Sequence, residues 1–254
     1  MVKLGGRVLE DPDPLLLSAL RELWQKGKRF ILVHGGGREV SRYLEKLGIP
    51  TRFHQGFRVT DEAALEVVEM VLSGRANRRL TRRLIREGLP AVGLSGSDGI
   101  LYARRKEREL GLVGEVVRVE GRLLQLLLEG GFLPVVSTLA LGKEEELLNV
   151  NADLAAAALA AALAARLAIF LTDVPGFLRR PPHEDTLVPR LTAGEIEELL
   201  SRGEVEGGMI PKLLAARRAV QGGVGKALLL DGRTGEALAA FVREGREVGT
   251  VVVP

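Results

Sequence analysis

The sequence predicts an α/β protein, a three-layer αβα sandwich with a central, mainly parallel sheet. Two observations carry this. Short apolar runs bounded by turn residues recur along the chain, the pattern of strands buried on both faces. Segments with helical periodicity separate them, and that alternation is what a parallel sheet needs for its crossovers. Glycine clusters follow the first two runs, which places close-approach backbone at the carboxyl ends of strands, where such sheets bind ligands.

In chain order, a short strand pattern around Lys3 runs into Gly5-Gly6. Residues 30–34 form an apolar run ending in His34-Gly35-Gly36-Gly37, and a helical pattern continues through Leu47. Asp61 has N-cap chemistry and opens a long helix carrying Leu65, Val68 and Leu72 at helical spacing. Residues 91–94, 133–136, 167–171 and 227–230 read as buried parallel strands. Helical patterns at 123–129, 152–165, 195–202, 211–221 and 235–244 separate or follow them. Polar alternating stretches at 52–60, 100–119 and 178–189 read as hairpins standing off the sheet. A seam is expected near Thr172, dividing one domain into lobes 1–171 and 172–254.

Composition narrows the function classes. The 254 residues are 46% hydrophobic, enough for a substantial core. With no cysteine, thiolate catalysis, disulfides and cysteine-ligated zinc are excluded. Three scattered histidines suggest no metal site. The longest apolar run, 154–165, is alanine-dominated and too short to span a bilayer, and the start of the sequence has no export signal; no membrane association and a cytoplasmic location are expected. The net charge of +3 is slight. The arginine clusters at 78–86 and 104–108 read as solvated faces, so no nucleic-acid partner is expected.

The chemistry-bearing residues favour phosphoryl transfer. Three glycines between a buried strand and a helix put bare N–H groups at a helix N-terminus, an anion site, where an ordinary turn needs only one. Asn149, Asn151 and Asp153 exceed what a single helix cap requires, and a carboxylate there could hold lysines by charge-assisted bonds. Lys3 taken alone reads as an ordinary solvent-facing strand residue. Lys212 follows Pro211 at a helix start, where the dipole disfavours a cation. Neither the P-loop nor the dinucleotide fingerprint is present. No general base stands near the glycine loops, which suits a carboxylate acceptor: it is already ionised near neutral pH and needs only positioning and charge neutralisation.

Taken together, Val-Lys-Leu-Gly-Gly (2–6), His-Gly-Gly-Gly (34–37), Gly-Phe-Arg-Val-Thr (56–60), Gly-Leu-Val-Gly-Glu-Val (111–116), Asn-Val-Asn-Ala-Asp (149–153), Thr-Asp-Val-Pro-Gly (172–176) and Gly-Gly-Met-Ile-Pro-Lys (207–212) resemble the amino-acid kinases over essentially the whole chain. Within them the sequence is most similar to the N-acetylglutamate kinases of arginine biosynthesis. The resemblance implies ATP-dependent phosphorylation of the side-chain carboxylate of N-acetyl-L-glutamate. It implies that Lys3 and Lys212 neutralise the transferring phosphoryl group and that Asp153 orients both. Gly36, Gly37, Arg58 and Asn149 would hold the acylamino acid, with Arg58 on its α-carboxylate. Gly5, Gly6, Asp173, Val174, Pro175, Gly176, Phe177, Leu178, Gly208 and Met209 would lie against the nucleotide. Magnesium would be bound through ATP and water, without a dedicated protein metal site. The resemblance further implies a homodimer through residues 61–90. A kinase of aminoadipate derivatives in lysine biosynthesis and a non-catalytic sensor of the same fold stand as alternatives.

Overall fold

The computed structural model describes residues 1–54 and 56–254. One eight-stranded sheet organises the chain. Its order is Arg190–Thr192, Thr250–Val253, Lys226–Asp231, Leu167–Thr172, Val2–Leu4, Leu32–His34, Leu133–Ser137, Ala91–Ser95. Every neighbouring pair is parallel except Lys226–Asp231 with Thr250–Val253. All six apolar runs expected as strands lie in this sheet, and it continues without a break across residues 171 and 172.

Strand alternation divides each strand between two cores. Val2, Leu4, Leu32, Ile169 and Leu171 pack with the helices Pro14–Gln25 and Glu236–Glu244 on one face. Val33, Phe170, Leu229 and Val136 pack with the helices Ala152–Ala162 and Met209–Gln221 on the other. The alanines of the former explain the close fit: Ala155, Ala156 and Ala160 are fully buried, and small side chains let that helix lie tight between the sheet and its neighbour. Helices therefore cover both faces, as the alternation predicts.

Several details depart from expectation. The helix capped by Asp61, whose carboxylate accepts from the Ala64 amide at 2.8 Å, runs as α-helix over Glu62–Glu69. It then widens to a π-helix over Met70–Ala76 before resuming as α-helix at Asn77–Arg86. The stretch 178–189 is not a hairpin but mostly turns with a single antiparallel bridge between Leu178 and Leu187; its prolines and charges give no alternating face to pair. The stretch 100–119 does pair, as Leu101–Arg105 with Val113–Val119, but it belongs to a closed four-stranded ring with Leu139–Leu141 and Leu147–Val150. The hairpin at 52–60 pairs Phe53–His54 with Phe57–Arg58; Gln55 lies outside the described residues.

Candidate functional site

The alternation that buries Val2 and Leu4 on one face turns Lys3 to the other, onto the first turn of the alanine helix. There its ammonium meets the Asp153 carboxylate at 2.7 Å, with both side chains 7% exposed. Asn151 sets that helix start by accepting from the amides of Asp153 at 2.9 Å and Leu154 at 3.1 Å. The three alternating polar residues thus divide the work. Asn149 faces the cavity and donates to the Thr60 hydroxyl at 3.1 Å, Asn151 caps, and Asp153 pairs with Lys3.

The glycine loop closes the same space. Gly36 caps the helix Gly37–Lys46. A β-carbon on Gly36 would lie 2.7 Å from Leu72 Cδ2, and one on Gly35 would lie 3.1 Å from the Ala152 β-carbon, so a side chain at either position would force a neighbour to shift. His34, fully buried, fixes the loop from behind. Its Nε2 accepts from the Asn77 amide at 3.0 Å, which leaves Nδ1–H to donate to the Gly35 carbonyl at 2.8 Å. Burial pushes the imidazole pKa down to about 4, only partly opposed by the Gly35 carbonyl, so His34 is a neutral strut. Glu39, in the first turn of the glycine-capped helix, is buried and held by Arg75 and Arg79 at 2.8 Å each. Burial raises its pKa, but the two guanidiniums outweigh that and leave it below the ordinary carboxylate range.

Arg58 comes from the hairpin to form the far wall. Its Nη2 donates to the Gly37 carbonyl and to the Ser41 hydroxyl, both at 2.7 Å, and its guanidinium stacks 4.8 Å from the Phe53 ring. Lys3, Gly6, Gly36, Gly37, Arg58, Asn149 and Asp153 thus line one cavity of about 210 Å³. Sequence reasoning missed Thr138, Leu72, Val68 and Val113, which also line it. Leu72 and Val68 have apolar helical spacing indistinguishable from core, and nothing in the sequence marks the π-helix that carries Leu72.

A second cavity, about 360 Å³, is lined by Val174, Gly176, Phe177, Leu178 and Met209, with Arg179, Val205 and Glu206 from the flanking loops. Asp173, Pro175 and Gly208 are adjacent in sequence but do not line it, and Gly5 lines neither cavity. A β-carbon on Gly5 would meet the Leu171 carbonyl at 3.0 Å, so this glycine serves a close approach between strand ends. Lys212 stands on Met209–Gln221 and donates to the Gly208 carbonyl at 3.0 Å; among the described residues it makes no ion pair with Asp153. The structure therefore ties Asp153 to one lysine, where both were expected.

This arrangement has relatives. The profile described as "Amino acid kinase family" matches residues 1–231. The chain belongs to the amino acid kinase family. Among curated relatives of this amino acid kinase, the acetylglutamate kinase of Rubrobacter xylanophilus is 50% identical over 99% of this chain and 96% of its own length. That of Archaeoglobus fulgidus is 40% identical over 100% and 92%. Among solved structures, a Streptococcus mutans protein superposes with TM-score 0.87 at 26% identity, covering 99% of this chain and 97% of that one. The N-acetylglutamate synthase of Neisseria gonorrhoeae, solved with coenzyme A and N-acetylglutamate, gives 0.85 at 25% identity, this chain spanning 58% of it. Carbamate kinase from Giardia, at 16% identity and TM-score 0.70, shares the amino acid kinase fold.

Proposed function

We propose that this chain is an acetylglutamate kinase, transferring the γ-phosphoryl group of ATP to the side-chain carboxylate of N-acetyl-L-glutamate in arginine biosynthesis. The observation that carries the reading is the first cavity, where a buried Lys3–Asp153 pair, a helix N-terminus at Gly36-Gly37 with no side-chain cap bond and the Arg58 guanidinium converge in a chain whose relatives are acetylglutamate kinases.

In this reading Arg58, held by Gly37 and Ser41, binds the α-carboxylate, and Asn149 bonds the acylamino group. A side-chain carboxylate oxygen attacks the γ-phosphorus as the bond to the β-phosphate oxygen breaks. An acyl phosphate and ADP result, and no proton need move because the nucleophile is already an anion. Lys3 and the amides of Gly6, Gly36 and Gly37 neutralise charge on the transferring group from the acceptor side, and Lys212 does so from the nucleotide side. Asp153 keeps the Lys3 ammonium aimed, its own charge spent on that pair. Val174, Gly176, Phe177, Leu178 and Met209 hold the nucleotide, with Gly5, Asp173, Pro175 and Gly208 shaping their loops.

Among the described residues no three His, Asp or Glu side chains converge as a metal cage. In this reading a magnesium ion carried by the ATP phosphates and water would supply Lewis-acid charge neutralisation. No helix among the described residues is long and apolar enough to cross a membrane, and we place the enzyme in the cytoplasm as a homodimer through residues 61–90, where Met70 and Ile85 are 58% and 54% exposed.

The test is hydroxamate formation with Mg-ATP and hydroxylamine. Trapping from N-acetyl-L-glutamate well above that from N-acetyl-L-aminoadipate supports the proposal; the reverse preference, or silence with both, overturns it.

A further inference from the structure

The loop that lines the second cavity is fastened by a residue outside the matched family region. Thr250 begins the strand Thr250–Val253, beyond the residues 1–231 that the family profile covers. It is fully buried. Its hydroxyl accepts from the Phe177 amide at 2.8 Å and donates to the Val188 carbonyl at 2.7 Å. Val188 in turn donates its own amide to the Phe177 carbonyl at 2.9 Å.

Two facing residues of an antiparallel pair ordinarily exchange two backbone bonds. Here Phe177 and Val188 make one of them directly, and the Thr250 hydroxyl is spliced into the other. The loop between them is thereby closed at its neck with the strand built in. Glycines make the approach possible: a β-carbon on Gly176 would lie 2.7 Å from Thr250 Oγ1, and one on Gly249 would lie 2.8 Å from the Pro175 carbonyl oxygen. At the loop's other end the Thr172 hydroxyl accepts from the Val174 amide at 3.1 Å and donates to the Val174 carbonyl at 2.8 Å, which fixes the turn locally. The two bonds of the Thr250 hydroxyl tie it to a strand more than sixty positions further along the chain.

We propose that Thr250 is a positioning residue for the nucleotide: its hydroxyl holds the 173–178 loop in the shape that binds ATP. The proposal rests on the reading of the second cavity as the nucleotide site. Thr250 touches no ligand itself; it acts through Phe177 and Gly176, which line that cavity. Replacing the hydroxyl with a methyl group leaves the buried Phe177 amide and Val188 carbonyl each without its partner, and the loop must rearrange to satisfy them.

The experiment compares Thr250→Val, Thr250→Cys and Thr250→Ser with the parent enzyme. For Val we expect the KM for ATP to rise on the order of tenfold, within the reach of the two buried hydrogen bonds removed, with the KM for the acylamino acid unchanged. Cys, a weak donor of similar size, raises the KM for ATP less, and Ser restores the parent value. The Cys–Ser comparison stands even if the Val protein fails to fold. In parallel, hydrogen exchange of the unmodified protein with and without Mg-ADP follows the amides of 173–178. Protection there with an unchanged KM for ATP in Val and Cys overturns the role of Thr250 alone. ADP binding that leaves 173–178 unprotected overturns the nucleotide reading and the proposal with it. A fall in thermal stability without the KM split assigns Thr250 a purely structural part and also overturns the proposal.

Discussion

Asp153→Ala should destabilise the fold by about 3–5 kcal/mol, the cost of leaving one member of a buried ion pair alone. The geometry sets this scale. With Nζ and Oδ1 2.7 Å apart and both side chains 7% exposed, the attraction is about 6 kcal/mol at an effective dielectric constant of about 20. Desolvating the two ions costs several kcal/mol each, so the intact pair nearly cancels and contributes little net stability. Removing Asp153 abolishes the attraction but keeps the cost of burying the Lys3 ammonium. The double variant Lys3→Met/Asp153→Leu removes both charges and fills the space, and should recover most of the loss while remaining inactive. Urea unfolding of the parent, Lys3→Met, Asp153→Leu and the double at constant m-value gives the coupling energy, with Asp153→Ala measured beside them. A single Asp153→Ala variant within about 1 kcal/mol of the parent would mean that water reaches Lys3 or that the pair is not closed in solution, and the argument from burial would fail.

His34 makes stability pH-dependent. Its folded pKa of about 4 lies below the ordinary 6.5, so the unfolded chain binds the proton more readily. The contribution is therefore complete above pH 6.5 and is lost as the pH falls towards 4, about 3 kcal/mol at about 1.4 kcal/mol per pH unit. Chemical denaturation of the parent and His34→Asn across that window should show this slope as the excess of the parent over the variant. Gly36→Ala should cost about 1–3 kcal/mol by forcing its methyl group against Leu72 Cδ2, and Gly36→Ala/Leu72→Ala should be less unstable than additivity predicts, as read by thermal melts. Lys212→Ala should keep the melting temperature, since among the described residues its ammonium holds only the nearby Gly208 carbonyl, yet lower kcat by about 10²–10³-fold in the hydroxamate assay; near-normal turnover would remove Lys212 from the mechanism.

The sequence reveals what depends on local pattern. The strands around Lys3, Val33, Val135 and Phe170 are visible because strands buried on both faces leave nearly unbroken apolar runs. The helix start at Ala152 is visible because Asn151 has cap chemistry. Most of what eludes the sequence depends on distance along the chain. Lys3 and Asp153 carry no mark of each other; the packing of the Ala152–Ala162 helix against the strand Val2–Leu4 brings them within 2.7 Å. The π-helix at Met70–Ala76 carries Leu72, which lines the cavity, and is followed directly by Asn77, which bonds the His34 ring; an i→i+5 register has no residue code. Thr250 reads as an ordinary β-branched strand residue, because its partners Phe177 and Val188 are more than sixty positions away. The expected hairpin at 178–189 shortens to the single Leu178–Leu187 bridge, because the prolines and charges between them give no continued alternating face to pair.

The place of Val2–Leu4 in the sheet bears on how the protein is made. This strand lies between Leu32–His34 and Leu167–Thr172, with Lys3 in register with Val33 on one side and Phe170 on the other. A ribosome that has released only the first 150 residues has delivered one of those neighbours and not the second, and Asp153 has yet to emerge. Lys3 therefore waits, unpaired, for a partner more than half the chain away, and parallel pairings of such separation form slowly. An intermediate of this kind exposes an unpaired strand edge beside a glycine-rich segment, where chaperone contact and misassembly compete. The same topology means that no amino-terminal fragment shorter than about 170 residues holds an assembled Lys3 site.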